Sequence, residues 1–311
     1  MTVISTMKFN EEEAAIIADE QASGGNRKED IFLKLYEVKA PDMQSVIGGS
    51  GVGVIITDII EKMPGVIEAN ANSIKSPEDF ANVLAQITAE KRGEIISAQV
   101  YSQFGITQME LIAGVIKESG LKIADQVMND YIGYMKNIQR EQHLGNGFIM
   151  LTEKDTKVNV YAVGMGNQKA VSIPGQYYSI GSGSDLASPA LSAFIQSMSR
   201  EKRSNIDPVD GIAVLLNSTE IASSQNQGVG GIPYIKIIKD GQIITPDENT
   251  SKLLYEIAKG TNADQLSGEF QREAIGNLVY NGGKFNAIEK QMWKEASDKK
   301  ALDLLLRGYR Q

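Results

Sequence analysis

Thr2, Asp19 and Lys34 put a hydroxyl, a carboxylate and an ammonium into the opening segment of this chain. A threonine hydroxyl is a weak nucleophile until a base takes its proton. Initiator methionine is normally trimmed before a small residue, and its loss would leave Thr2 with a free α-amine. The unperturbed pKa of such an amine is about 7.7–8.0, so nucleophile and base can belong to one residue near neutral pH. Asp19 and Lys34 are the charged groups that such a nucleophile needs around it. If Met1 is retained, the amine is missing and the chemistry fails.

Composition removes most competitors. The chain has no cysteine, which eliminates disulfides, thiolate metal sites and cysteine nucleophiles. Its one histidine, His143, has no second histidine with which to share a metal. His143 follows the charged stretch 136–142 and precedes Gly145, so it reads as a helix C-terminal residue favoured by the dipole. A net charge of −8 and an acidic balance argue against a phosphate-tracking face, and hence against a nucleic-acid partner. No apolar run approaches the roughly 20 residues that span a bilayer, and no signal peptide is visible. The expectations are a cytoplasmic location, no membrane partner, no cofactor and no metal, leaving hydroxyl, amine and carboxylate chemistry.

The elements that must position these groups follow from hydrophobic periodicity. TVISTMKF (2–9) and the apolar run of EEEAAIIADE (11–20) read as a strand pair joined through Asn10 to Glu13. After a Gly-rich, charged loop at 23–30, residues 31–38 and 44–49 predict a second pair. Ile55, Ile56, Ile59 and Ile60 stand at helix spacing. Ser76 with Pro77 starts a helix, EIISAQVY (94–101) reads as a strand, and 107–143 as helix broken near Gly120. GFIMLTE, KVNVYAVG and QYYSIGSGS form another strand set, followed by helices over 186–203 and from Asp207-Pro208 onward. Residues 232–245 predict a hairpin with an Asp-Gly turn. From 249 to 311 the pattern is helical, with Gly260, Gly276 and Gly282-Gly283 as breaks. The order predicts an α+β architecture with two stacked sheets between helical layers.

These segments resemble the β-type subunit of the proteasome and the related core subunit of the bacterial ATP-dependent two-component protease. The resemblance rests on TVISTMKF, AIIADEQASGG, the lysine of KLYEV, the GGSG turn and the YSIGSGSDLA junction, over about 2–62 and 147–245. It implies an N-terminal-nucleophile (Ntn) hydrolase with a four-layer αββα sandwich of two antiparallel sheets. The domain would cover 1–248, with an expanded helical segment at about 64–145. Residues 249–311 would form a helical C-terminal extension.

Carried over residue by residue, the resemblance makes Thr2 the nucleophile, with Lys34 beside the hydroxyl to lower its pKa. Asp19 orients that lysine by a charge-assisted hydrogen bond. The N–H of Gly48 faces the developing oxyanion, with Gly49 as an equally good alignment, and Ser182 stands by the Thr2 amine. One departure is visible. Where the family has an aspartate and a serine before its last strand, SSQNQGVGGIPYI offers Asn226 and Val229, or Ser223 and Ser224 as substitutes. Asparagine can hydrogen-bond but cannot pair a charge.

The implied function is a threonine peptidase acting on peptides or unfolded protein within a homo-oligomeric ring, with an ATP-dependent unfoldase as partner. An amidase or peptide ligase on the same fold, or a non-catalytic ring or scaffold subunit, are the rivals. GGSGVG and GSGS as phosphate cradles are a weaker alternative, because neither has G-x-G-x-x-G spacing within a β-α-β unit.

Overall fold

A computed structural model of the chain describes residues 2–24, 27–29, 33–138, 144–226 and 229–307, with backbone alone for 22–24 and 27–29; Met1 and His143 lie outside these residues. In chain order the strands are β1 (Ile4–Lys8), β2 (Glu13–Ala18), β3 (Ala22–Gly24), β4 (Arg27–Glu29), β5 (Leu35–Ala40) and β6 (Met43–Ser50). Helices α1 (Gly53–Ala69), α2 (Pro77–Phe104), α3 (Gln108–Ala113) and α4 (Asp125–Ile138) follow. Then come β7 (Gly147–Lys154), β8 (Lys157–Gly164), β9 (Val171–Ser172), β10 (Tyr177–Ile180), α5 (Ser184–Ser197), α6 (Arg200–Arg203) and α7 (Pro208–Gln225). The chain closes with β11 (Tyr234–Lys239), β12 (Gln242–Ile244), α8 (Glu248–Asn262), α9 (Gly268–Ile275), α10 (Phe285–Glu295) and α11 (Lys299–Arg307).

Among the described residues there are two five-stranded sheets, ordered β10-β1-β2-β11-β12 and β5-β6-β7-β8-β9, and a small β3-β4 ribbon. All pairings are antiparallel. Alternation along the strands sorts the core into layers. Ile4, Ile16 and Ile238 of the first sheet meet Leu35, Val46, Ile149 and Val160 of the second between the sheets. On the first sheet's outer face Met7, Ile17, Ile235 and Ile237 pack with α7 and α8 residues such as Leu215, Leu216 and Leu254. On the second sheet's outer face Ile47, Phe148 and Met150 pack under α1 and α2 with Ile59, Met63, Phe80 and Leu84. The molecule is an αββα sandwich, as the strand and helix order predicts.

Local chemistry explains the element ends. Asp240 (φ 50°) and Gly241 (φ 74°) both lie in the left-handed region, as a two-residue hairpin turn matched to strand twist requires. Ser76 and Asp79 form a capping box with Pro77 in the first turn, so α2 starts where the sequence says. It does not stop where expected. EIISAQVY reads as a strand, yet it lies inside a 28-residue helix whose Ile96 and Val100 are buried four residues apart. Helical periodicity toward a tertiary partner overrides the β-branched composition. The 23–30 stretch, expected as loop, contributes the β3-β4 pairing. In the tail Gly260 is no break: it sits within α8, where a Cβ would press on Leu266 at 2.7 Å. Leu253 and Ile257 of α8 join α9, α10 and α11 in a second small core with Phe270, Met292 and Leu306.

Four strand ends converge at one end of the sandwich. Ile4 at the start of β1 pairs with Ala18 at the end of β2 and with Ile180 at the end of β10. Gly48, paired with Leu35 near the start of β5, lies under Ile4: a Cβ there would approach Ile4 Cγ2 to 2.7 Å.

Candidate active site

The antiparallel β1-β2 pair extends by one step past its named strands. The Asp19 N–H donates to the Val3 carbonyl at 3.2 Å, and the Val3 N–H returns to Asp19 Oδ1 at 2.8 Å. Lys34 Nζ donates to the same Oδ1 at 2.8 Å and to the Gln21 carbonyl at 2.7 Å. The Gly230 N–H completes the acid's shell at Oδ2, 3.3 Å away. Asp19 therefore bridges the residue next to Thr2 and the lysine. Both charged side chains are buried, 2% exposed for Asp19 and 4% for Lys34.

Burial lifts the Asp19 carboxyl above its usual value, against the pull of Lys34 and of the Val3 and Gly230 N–H groups. Burial likewise holds the Lys34 ammonium below the ordinary lysine range, while the Asp19 carboxylate, and more weakly Glu20, draw it back up. An ion pair sealed this way is a poor stabilising device, because desolvation offsets the attraction. Its removal by halves is costly, about 3–5 kcal/mol, since one charge is left alone.

Thr2 itself is buried, 7% exposed. The IGSGS junction fastens it. Its carbonyl accepts the Gly183 N–H at 3.0 Å, and its nitrogen lies 3.3 Å from Ser182 Oγ. With Met1 removed that nitrogen is the α-amine. Gly181 (φ +94°) must be glycine twice over: its backbone is left-handed, and a Cβ would fall 2.2 Å from the Thr2 carbonyl oxygen. The same Cβ would lie 3.1 Å from Ser50 Oγ, so that hydroxyl also faces the junction.

Asn226 Nδ2 donates to the Ser182 carbonyl at 3.2 Å, and the Val229 N–H donates to the Asn226 carbonyl at 3.0 Å. The amide thus fixes the serine's backbone, a task that needs no charge. Val229 is 3% exposed and packs with Val3, Ala187 and Ala222. Of the two serines, Ser224 bonds back to Ile221 in its own helix, whereas Ser223 Oγ reaches the Val229 carbonyl at 3.4 Å.

The glycine pair is engaged in sheet bonding. The Gly49 N–H donates to the Lys34 carbonyl at 3.1 Å, which places it on the β5 side. Alternation then turns the Gly48 N–H toward β7, opposite Ile149. An oxyanion donor drawn from this pair must first give up a sheet hydrogen bond.

Sequence reasoning missed the segment at 230–232. The Gly230 carbonyl accepts the N–H groups of Glu20 (3.1 Å) and Gln21 (2.9 Å), and the Ile232 N–H donates to Glu20 Oε2 at 3.2 Å. The Tyr234 hydroxyl donates to Glu20 Oε1 at 3.2 Å, and burial with that nearby carboxylate pushes the phenol up to about 12. Most of these are backbone groups without a side-chain signature. The available signal was the run of glycines: a Cβ at Gly230 would meet Gln21 Oε1 at 2.6 Å, and Gly231 has φ +79°.

Against protein-family models the chain has no match, and against curated proteins none either. Solved structures do match in fold. The Gly-1 mutant of Anbu from Hyphomicrobium sp. strain MC1 is 12% identical, with 77% of this chain and 83% of that chain covered and a TM-score of 0.52. Anbu, an ancestral beta-subunit, from Yersinia bercovieri is 14% identical over 79% and 88%, TM-score 0.53. The helical assembly of the Anbu complex from Pseudomonas aeruginosa is 14% identical over 85% and 95%, TM-score 0.56. The chain shares the fold of these Anbu structures. Among the described residues no helix is long and apolar enough to cross a membrane, and no group of three or more His, Asp or Glu side chains could hold a metal ion.

Proposed function

We propose that the chain is an N-terminal threonine hydrolase that cleaves peptide bonds. One observation carries this reading: Asp19 Oδ1 holds both the Val3 N–H and Lys34 Nζ, so the lysine is fixed beside the nucleophile's own backbone. In the mature protein the Thr2 amine, ordered by Ser182 Oγ, takes the hydroxyl proton as Oγ1 attacks the substrate carbonyl. The tetrahedral intermediate collapses as the amine returns that proton to the leaving nitrogen, giving a threonyl ester. Water, activated by the same amine, then releases the acid. Lys34, held low by burial, stabilises the developing alkoxide and can share its proton.

Ring assembly, an ATP-dependent unfoldase partner and a division into a 1–248 domain and a 249–311 extension belong to this proposal. The αββα fold, shared with Anbu structures of which one is a helical assembly, is consistent with a subunit that assembles. A non-catalytic ring subunit is the second reading. It is favoured by the commitment of the Gly49 N–H to the Lys34 carbonyl. Reaction with a threonine-directed electrophile separates them. The hydrolase forms one adduct on the residue-2 peptide, and Thr2→Ala forms none; equal behaviour of the two proteins supports the second reading. An added amine nucleophile then distinguishes hydrolysis from transfer by a ligase.

A further inference from the structure

Glu20 closes around one glycine. Its own N–H donates to the Gly230 carbonyl at 3.1 Å, and its Oε2 accepts the Ile232 N–H at 3.2 Å. Gly231 lies between these two contacts, with φ +79° and so little room that a Cβ would stand 2.9 Å from Glu20 Cβ. The other carboxylate oxygen, Oε1, accepts the Tyr234 hydroxyl at 3.2 Å. Glu20 is buried, so a carboxylate has been taken out of water to make these contacts.

The sequence explains why a side chain is needed here. The β2-β11 ladder ends at the Ala18–Tyr234 pair. The residue before Tyr234 is Pro233, which has no N–H to extend it. Ahead of the proline, Gly230 and Gly231 bring more backbone freedom than any other residue type would. Two successive acids hold this stretch in place of a ladder: Asp19 Oδ2 takes the Gly230 N–H at 3.3 Å, and Glu20 Oε2 takes the Ile232 N–H. Gly230 in turn secures the lysine. Lys34 Nζ donates to Asp19 Oδ1 and to the Gln21 carbonyl. Gly230 bonds to both of those residues, to Asp19 through its N–H and to the Gln21 N–H through its carbonyl.

We propose that Glu20 is a positioning residue for Lys34, acting through Gly230: its carboxylate pins Ile232 and Tyr234, and so fixes the glycine bonded to both residues that accept from the ammonium. The consequence for reactivity rests on the reading of Thr2 as nucleophile; the clamp itself does not. Hydrogen bonding and charge are separable at this residue. In Glu20→Gln the amide oxygen can accept the Ile232 N–H while the amide N–H donates to the Tyr234 oxygen, so the contacts stay and the charge goes. Glu20→Ala removes both.

Two readouts on the full chain test it. Amide hydrogen exchange at Ile232, Gly230 and Gln21, and the pH profile of electrophile adduct formation at Thr2, are measured for wild type, Glu20→Gln, Glu20→Ala and Tyr234→Phe. In Glu20→Ala exchange should be faster at all three amides, with labelling about tenfold slower and its pH profile displaced. Glu20→Gln should stay close to wild type in both readouts. Tyr234→Phe, with a urea midpoint near that of wild type, should fall between them, and it decides the matter if Glu20→Ala does not fold. Exchange that rises at Ile232 alone overturns the link to Gly230. Faster exchange at Gly230 and Gln21 with labelling and pH profile unchanged overturns the link to Lys34. Labelling as slow in Glu20→Gln as in Glu20→Ala would mean that Glu20 supplies charge and not position, which also overturns the proposal. If wild type itself takes no adduct, the nucleophile reading falls, and exchange at Gly230 and Gln21 alone decides the clamp.

Discussion

Strand β2 ends in a buried carboxylate on both sides, and the two are built for opposite purposes. At one end Asp19 meets a lysine as buried as itself, with backbone N–H groups from Val3 and Gly230 closing its shell. At the other end Glu13, 4% exposed, accepts the Tyr280 hydroxyl at 2.7 Å. Its cation, Lys239, stands 3.8 Å away, is 37% exposed and lies over the Tyr280 ring. Burial raises both acids. At the Asp19 end the partner lysine is also sealed, and burial holds it below the ordinary lysine range, beside the Thr2–Val3 peptide. The Glu13 end joins the sheet to the π-helical turn 276–280 of the tail. Burial of a charge alone thus does not set the Asp19 end apart; its sealed counter-charge does.

The largest effect should come from Lys34→Met, which leaves Asp19 alone in the core. Adduct formation at Thr2 should vanish, and urea unfolding should show a loss of about 3–5 kcal/mol. A variant that keeps wild-type stability would mean that the Asp19 end is no more special than the Glu13 end.

Gly181→Ala comes next. The added Cβ collides with the Thr2 carbonyl in a left-handed backbone, and strain of about 1–3 kcal/mol is expected together with sharply slower labelling. Labelling at the wild-type rate would show that the junction does not place Thr2.

Tyr280→Phe should lose about 1.5 kcal/mol, the low end for a hydrogen bond to a charged group, because its bond to the Glu13 carboxyl goes. Thr2 labelling should not change, and a drop would break the separation of the two ends.

The smallest effect is in pH dependence. Glu13 has a native pKa above its unfolded value. Its contribution is therefore complete below the unfolded value and is lost as pH rises through the native one. Between about pH 4 and about pH 8 the urea midpoint of Glu13→Gln should move upward relative to wild type. Movement the other way would mean that Lys239 stabilises the carboxylate, as a true ion pair would.

Much of the site was legible because its side chains sit at fixed points of strands. Thr2, Asp19 and Lys34 are brought together by the β1-β2 pairing and the start of β5, and Ser182 by the end of β10. The Gly230 contacts were not legible, since main-chain donors and acceptors carry no residue type. The sequence reads Asn226 as able to hydrogen-bond but not to pair a charge, and its amide donates to the Ser182 carbonyl, a partner the sequence does not name. The layered sheets followed from strand order. The long α2 did not, because its β-branched C-terminal half takes its conformation from the partners that Ile96 and Val100 are buried against.

The central claim is that Thr2 is an N-terminal nucleophile. Intact-mass and peptide mass measurement before and after treatment with a threonine-directed electrophile tests it most directly. The account predicts a chain lacking Met1 that gains one adduct, on residue 2, and a Thr2→Ala variant that gains none. A wild-type chain that has lost Met1 and still takes no adduct would contradict it, as would a chain that retains Met1.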